Sequence, residues 1–425
     1  MQTSKNFTAF DAAMLGIGSM VGAGIFIVIG QAGAIAGNLV WVSFFIGGIA
    51  ALLSGYSLVK LAIRYPSRGG LVEYLVQGYG EGIFSGMLGV LFYLSQLVAI
   101  AAVAKSFGAY AASFLPGSAT LYALGIVGFF TLVNLIGAAW VARFENAIVI
   151  IKVSVLLLFT AIALYHANPK LLTPSFQAGT PPLLYAAGLT FFAYQGFSVI
   201  TNTVEEMRNP ARTMPKAMTG AIVFVMALYL LTSLAVLGNL PLQKVISAKD
   251  YALAEAARPV FGMMGFKIMA VTAMLATASA INATLYAVAE IGYTLAKEGN
   301  LPKIYSYNVF QSFEGLLVST LLVVPMILFF NLTQITTVAA LTVLLVQGLV
   351  HAGHWRLADQ TGASRPLIAL AVAAMTLLIT LTLYQHRHDA LPLYLLGAFV
   401  LAWITELILR RTLRTNILRQ SLPKR

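Results

Sequence analysis

A chain of 425 residues that is 59% hydrophobic and only 9% charged, with a mean hydropathy of +0.86, is far more apolar than a soluble domain, in which about 25% of residues are charged. Its net charge of +12 does not point to nucleic acid, because the basic residues sit at the ends of apolar segments and in a terminal run from Arg410 to Arg425, not in one compact domain. Cysteine is absent, which excludes disulfides, thiol nucleophiles and thiolate metal sites.

Only the polar stretch Met1 to Asn6 precedes the first apolar segment, so that segment reads as a retained helix and not a cleaved leader. A helix needs about 20 residues to cross the hydrocarbon core. Segments of spanning length fall at 9–34, 38–62, 83–113, 119–140, 145–165, 183–202, 217–238, 262–295, 314–331, 333–353, 366–385 and 391–410. The expectation is an all-α integral membrane protein of twelve transmembrane helices in a single domain.

The first segment carries Gly18-Ser19-Met20-Val21-Gly22-Ala23-Gly24-Ile25-Phe26. Each glycine costs a helix interior about 1 kcal/mol against alanine. The run has two readings. Unwound backbone lining a cavity would free N–H groups to hold a carboxylate; alternatively, Gly22 and Gly24 let a neighbouring helix approach closely.

Lys105, two turns from the outer end of the third segment, reads as a snorkelling side chain. Lys152 differs, because Ile148-Val149-Ile150-Ile151-Lys152-Val153-Ser154 places it in the middle third of the fifth segment. A charge there costs at least about 2.5 to 3.5 kcal/mol on insertion scales, so Lys152 is a candidate for reversible protonation. Snorkelling to the cytoplasmic face is the alternative.

In the sixth segment Phe191-Phe192-Ala193-Tyr194-Gln195-Gly196-Phe197-Ser198 interrupts an apolar helix with Gln195, Gly196 and Ser198 at a depth similar to that of the first glycine run. Two opposed breaks would set helix N-terminal N–H groups and C-terminal carbonyls around one cavity, a fit for the carboxylate and ammonium of an amino acid. Five spans separate the two interruptions, and an odd number inverts the second copy of a repeat. The expected organisation is repeat one over 8–165, repeat two over 183–354, two further spans over 366–410 and a basic tail over 411–425.

Glu205 and Glu206 precede Asn209-Pro210 and are expected to cap helices or bind Arg64 or Arg68, with gate salt bridges as a second reading. The polar stretch from Leu240 to Pro259 reads as an outer cap with a short surface helix from Tyr251 to Arg258. Glu290 is expected to pair with a base on the cytoplasmic side. His351 and His354 near the end of the tenth segment, His386 and His388 in a loop, and His166 alone do not make a metal set. With a cytoplasmic N-terminus, the inner connections carry Lys60, Arg64, Arg68, Arg143, Arg208, Arg212, Lys216, Lys297, Lys303, Arg356, Arg365 and the tail. The outer ones carry Lys170, Lys244, Lys249, Arg258, Lys267 and Arg387, so both termini are expected inside.

A membrane enzyme would need a nucleophile with a base, or paired carboxylates, inside the spans. The spans hold no Asp pair and no His near a candidate Ser. A pore would use rings of carbonyls or charges from repeated subunits, which two unlike breaks do not provide. Exchange through the same site, and sensing without flux, stay open beside symport.

The first-span motif, Tyr65-Pro66-Ser67-Arg68-Gly69-Gly70, the stretch from Phe191 to Ala217, Gly238-Asn239-Leu240-Pro241, Ser279-Ala280-Ile281-Asn282-Ala283-Thr284 and Leu295-Ala296-Lys297-Glu298-Gly299-Asn300-Leu301-Pro302 together resemble the amino acid-polyamine-organocation permeases, and most of all their proton-coupled amino-acid transporters. The resemblance covers most of the chain and implies a LeuT-type inverted five-plus-five fold with two additional helices. It further implies a substrate site at Ser19, Met20, Val21, Gly22, Ala23, Gly24, Phe192, Gln195, Gly196 and Ser198. The backbone of Ala23 and Gly24 would hold the carboxylate, the carbonyls of Met20, Phe192 and Gln195 the amine, and the Phe192 ring would close the outer side.

Arginine-exchanging relatives have a glutamate where this chain has Ser198, which favours small neutral amino acids over a dication. Polyamines are the second substrate class. Lys152, with Gly18 and Ser279 as neighbours, would carry the coupling proton by alternating access, without cofactor or metal. The implied setting is the lipid of a bacterial inner membrane; no motif speaks to oligomeric state.

Overall fold

The computed structural model describes residues 7–67, 70–137, 139–173, 182–297, 299–310 and 312–412, without the side chains of 23, 139–144, 146 and 410–412. Residues 1–6, Arg68, Glu298 and the tail beyond 412 lie outside the described residues, as does the Arg143 side chain.

The chain is helical nearly throughout. α1 (Ala9–Ala36) starts on a reciprocal cap: the Thr8 hydroxyl accepts from the Asp11 N–H at 3.2 Å and the Thr8 N–H donates to the Asp11 carboxylate at 2.9 Å. α2 (Val40–Arg64), α3 (Leu71–Tyr79), α4 (Ile83–Ala112), α5 (Ala119–Ile136) and α6 (Ala139–Tyr165) follow. α7 (Pro182–Ala193) ends in a turn and a 3₁₀ stretch, Phe197–Glu206, before α8 (Pro210–Asn239), which opens on proline where a missing N–H costs nothing. α9 (Leu242–Ser247), α10 (Ala252–Lys297), α11 (Glu314–Phe329), α12 (Leu332–Arg356), α13 (Ala358–Thr361), α14 (Arg365–Gln385) and α15 (Leu391–Thr412) complete the chain. A two-residue antiparallel pair, Asn308–Val309 with Ser312–Phe313, precedes α11.

Among the described residues ten helical stretches are long and apolar enough to cross a membrane, the C-terminal part of α1 being counted with α2 from Gly24 to Arg64. Glu314–Phe329 is apolar but shorter. The chain is therefore an all-helical, multi-pass membrane protein. α10 is two helices merged at Gly262, whose φ of +66° breaks the run, so the surface helix expected before the eighth span continues into it through a kink.

The first segment differs from the unwound reading. α1 is α-helical through Gly22, Ala23 and Gly24, so their N–H groups are engaged within the helix and not freed for a ligand. Its glycines serve close packing instead. A Cβ on Gly24 would overlap the Ala193 carbonyl, one on Gly30 would overlap the carbonyl of Lys249, and one on Gly18 would lie 2.7 Å from Val149. α1 thereby packs against α7, α8, α10 and α6 at the centre of the bundle, while α2 runs along α8 and α7.

Candidate functional site

The break in the sixth apolar segment is present. The N–H groups of Tyr194 and Gln195 bond back to the carbonyls of Phe191 and Phe192 at 3.0 Å each, tightening the last turn of α7. Gly196 then takes φ +115°, a conformation that costs other residues a steric penalty, and a Cβ there would also overlap the Ser19 side chain. The turn and the first half of α1 are thus pressed together at Gly196 and Ser19.

Of the expected substrate residues, Met20, Val21, Gly22, Gly24 and Phe192 are buried, and Ser19, Gln195, Gly196 and Ser198 are half-buried. The structure brings them into one region at the α1–α7 contact. The side chain of Ala23 is outside the described set. The amide nitrogen of Gln195 is buried without a protein partner, a donor left open beside the break.

Tyr229 of α8, which sequence reasoning passed over, organises this contact. Its hydroxyl donates to the Met20 carbonyl at 2.7 Å, and the Ala193 carbonyl lies 3.2 Å away. Ala193 closes α7, so its carbonyl is one of the groups a helix end leaves unpaired. A tyrosine in an apolar span gives no sequence signal for such a role.

Beside this region Lys152 is 1% exposed. Its Nζ donates to the Gly18 carbonyl at 2.8 Å. Gly22, one turn on, lets it in: a Cβ there would lie 3.8 Å from Nζ and 3.3 Å from the Ala280 Cβ of α10. The lysine does not snorkel. Ser279 of α10 donates to the Glu145 carboxylate at 2.5 Å, and the Glu145 charge acts on that of Lys152. Glu145 was missed in the sequence, although seven residues, about two turns, set it on the same face of α6 as Lys152. Gly18, Lys152, Glu145 and Ser279 therefore join α1, α6 and α10.

The other candidates are placed elsewhere. Lys105 donates to the Ile327 carbonyl at 2.6 Å, satisfying a terminal carbonyl of α11. Glu290 is exposed on α10. Glu205 and Glu206 end the 3₁₀ stretch, and the Glu206 carbonyl accepts from the Phe7 N–H at 3.3 Å, tying the N-terminal segment to the far side of the break. His351 and His354 bond serine and threonine hydroxyls between α2, α12 and α13.

Residues 7–402 match the family described as amino acid permease. The chain is 34% identical to the "Inner membrane transport protein YbaT" of Escherichia coli (strain K12), covering 96% of this chain and 97% of that one. It is 26% identical to the "Branched-chain amino acid permease BcaP" of Bacillus subtilis (strain 168), over 70% and 68% of the two chains. It is also 26% identical to the "Serine/threonine exchanger SteT" of the same organism, over 70% and 69%.

Proposed function

Since this chain belongs to the amino acid permease family and is a transporter, not an enzyme, we propose that it imports small neutral L-amino acids together with a proton, by alternating access. The observation that carries this reading is the bond from the buried Lys152 ammonium to the Gly18 carbonyl, beside the α1–α7 contact. A charge held at mid-span on a carbonyl of the helix that packs on the candidate substrate region couples the proton to that region by position alone. Loss or gain of the proton changes what holds α1 to α6.

The substrate is placed between Ser19 to Gly24 of α1 and Phe192 to Ser198 at the break. The Gln195 amide and the carbonyls at the end of α7 supply polar partners there, and Ser198, being neutral, supplies no counter-ion for a second cationic group. The backbone of Ala23 and Gly24 becomes available to the carboxylate when α1 opens at its glycines, which lower the cost of opening by about 1 kcal/mol each. Phe192, 5% exposed, covers the outer side.

The twelve spans are read as two inverted five-helix repeats, over 8–165 and 183–354, with two more spans after them and both termini in the cytoplasm of a bacterial cell. α1 and α7 rock against a scaffold built on the third, fourth, eighth and ninth spans.

A second reading is favoured by the relative named as a serine/threonine exchanger: one amino acid swapped for another through the same site. Uptake into proteoliposomes, empty or preloaded, with and without an inward proton gradient and across all amino acids and simple polyamines, separates the two. Gradient-driven uptake into empty vesicles supports symport. A strict need for internal substrate replaces it with exchange, and binding without flux overturns both.

A further inference from the structure

Away from the candidate site, a buried chain of polar side chains joins α2 to α12. His351 and His354 are wholly buried and lie on the same face of α12 as Gln347. The Nε2 of His351 is 2.8 Å from the Ser54 hydroxyl and its Nδ1 is 2.9 Å from that of Ser57. The Nδ1 of His354 is 2.7 Å from the same Ser57 hydroxyl, and its Nε2 is 2.9 Å from that of Thr361. Ser54 donates to the Gln347 amide oxygen at 2.6 Å.

With the Gln347 amide oxygen toward Ser54 and its nitrogen left without a protein partner, counting hydrogens fixes the direction of every other bond. A hydroxyl has one hydrogen to give, and a neutral imidazole has one N–H and one lone pair. Ser54 gives its hydrogen to Gln347, so His351 must donate to it through Nε2. The Nδ1 of His351 then accepts from Ser57, which in turn accepts from Nδ1 of His354. The Nε2 of His354 accepts from Thr361. Hydrogens point one way from the α13 loop into the bundle, with both rings neutral.

The two histidines differ in what a further proton would do. Thr361 has a second acceptor, the Ala358 carbonyl, 3.2 Å away. When its hydrogen turns there, Nε2 of His354 can carry a proton and donate to Thr361, and every bond between α2 and α12 survives. His351 has no such alternative, because the Ser57 hydrogen already points at its Nδ1. Gln347 ends the chain, and an amide oxygen passes no proton on, so the array stores a proton and does not conduct it.

We propose that His354 is a second proton-holding site, separate from Lys152 and loaded through Thr361 from the end of the bundle that the orientation above makes cytoplasmic, and that loading it loosens the α2–α12 seam. The surrounding charges give the sign. Lys60 of α2 lies one turn past Ser57, bonds the Gly362 carbonyl at 3.1 Å, and its charge reaches His354. Asp359 of α13 is already paired with Arg365 of α14 at 2.9 Å. Arg356 of α12 sits over the Tyr79 ring of α3 at 5.4 Å, Glu73 of α3 accepts from Gln77, and the Tyr56 hydroxyl accepts from the Ser364 N–H. A proton on His354 therefore meets like charge from Lys60 across the seam. α2 packs on α8, α7 and α14, and α12 on α14, α4, α3 and α7, so both sides of the seam rest on α7, which alternating access would move.

The test uses the full chain in phospholipid nanodiscs with ¹⁵N-labelled histidine, the spectrum being assigned by replacing His166, His386 and His388 one at a time. At about pH 8 the expected neutral tautomers are Nε2–H for His351 and Nδ1–H for His354, and on acidification to about pH 4 His354 charges first. Inverted tautomers, a His354 that stays neutral throughout, or a His351 that charges first overturns the proposal. In the same discs, backbone hydrogen exchange over residues 347–364, corrected for intrinsic rates, should rise about threefold or more in acid for the unaltered chain and for Lys152→Ala, but not for His354→Gln. Unchanged exchange in the unaltered chain removes the loosening. Loss of the effect in Lys152→Ala would assign it to the coupling site instead. Should His354→Gln fail to fold, the ring spectrum of the unaltered chain still decides.

Discussion

The Nζ of Lys152 donates to the carbonyl oxygen of Gly18 across 2.8 Å, joining the middle of α6 to α1 where Gly22 leaves that carbonyl open. Truncating the lysine removes the charge but not the carbonyl's partner within α1. Lys152→Ala is thus expected to fold, to lose proton-driven accumulation and to keep exchange between equal pools. Full gradient-driven uptake by the variant in proteoliposomes would dismiss Lys152 as the coupling site.

Glu145 should act only through that lysine. Its carboxylate takes the Ser279 hydroxyl and its charge acts on Lys152, so Glu145→Gln is expected to cut proton-driven uptake by about tenfold, roughly 1.4 kcal/mol. Groups in one network are not additive. The double variant with Lys152→Ala should therefore transport no worse than Lys152→Ala alone, and a further loss would show that Glu145 has a role of its own.

How much of this was legible in the sequence depends on the range of the interaction. Apolar runs located the helices closely, as in 83–113 against Ile83–Ala112 and 366–385 against Arg365–Gln385, because helix length and hydropathy are local. The break at Gln195 and Gly196 was legible for the same reason. The glycine run in α1 was not decided, since glycine weakens a helix and also lets a neighbour approach, and only the packing of Ala193 and Val149 against it chooses between the two. Tyr229 and the serines facing His351 were out of reach, because their partners lie on other helices and apolar patterning carries no record of a hydroxyl's direction.

Tyr229→Phe isolates one hydroxyl. The ring stays, so packing is conserved, while the Met20 carbonyl loses a buried donor at 2.7 Å. Net stabilities of such bonds cluster near 1 kcal/mol, with about 1 to 3 kcal/mol for a group left unsatisfied. The variant is expected to lose about 1 to 2 kcal/mol in thermal or denaturant unfolding and to show weaker substrate binding, as the end of α7 and the middle of α1 are no longer held in register. Unaltered stability together with unaltered KM would remove Tyr229 from the site.

The two glycines of α1 separate packing from opening. A Cβ on Gly24 would overlap the Ala193 carbonyl and stand 2.7 Å from the Tyr229 hydroxyl. The carbonyl belongs to backbone at the end of α7 and cannot retreat without moving that helix, so Gly24→Ala should cost about 1 to 3 kcal/mol and abolish transport. At Gly22 the added methyl is tight only against the Ala280 Cβ at 3.3 Å, the Ala276 carbonyl and the Lys152 Nζ lying at an ordinary 3.8 Å, and a shift of a few tenths of an ångström accommodates it. Gly22→Ala is accordingly expected to fold. Alanine there favours the helix by about 1 kcal/mol, and if α1 must open for its N–H groups to meet the substrate, that preference works against binding. Since 1.4 kcal/mol is tenfold in affinity, the expected rise in substrate Kd is about fivefold with unfolding stability unchanged or slightly higher. A Kd equal to that of the unaltered chain would mean that α1 stays helical through Gly22–Gly24 when substrate binds, and the carboxylate would then have to be held by the α7 break alone.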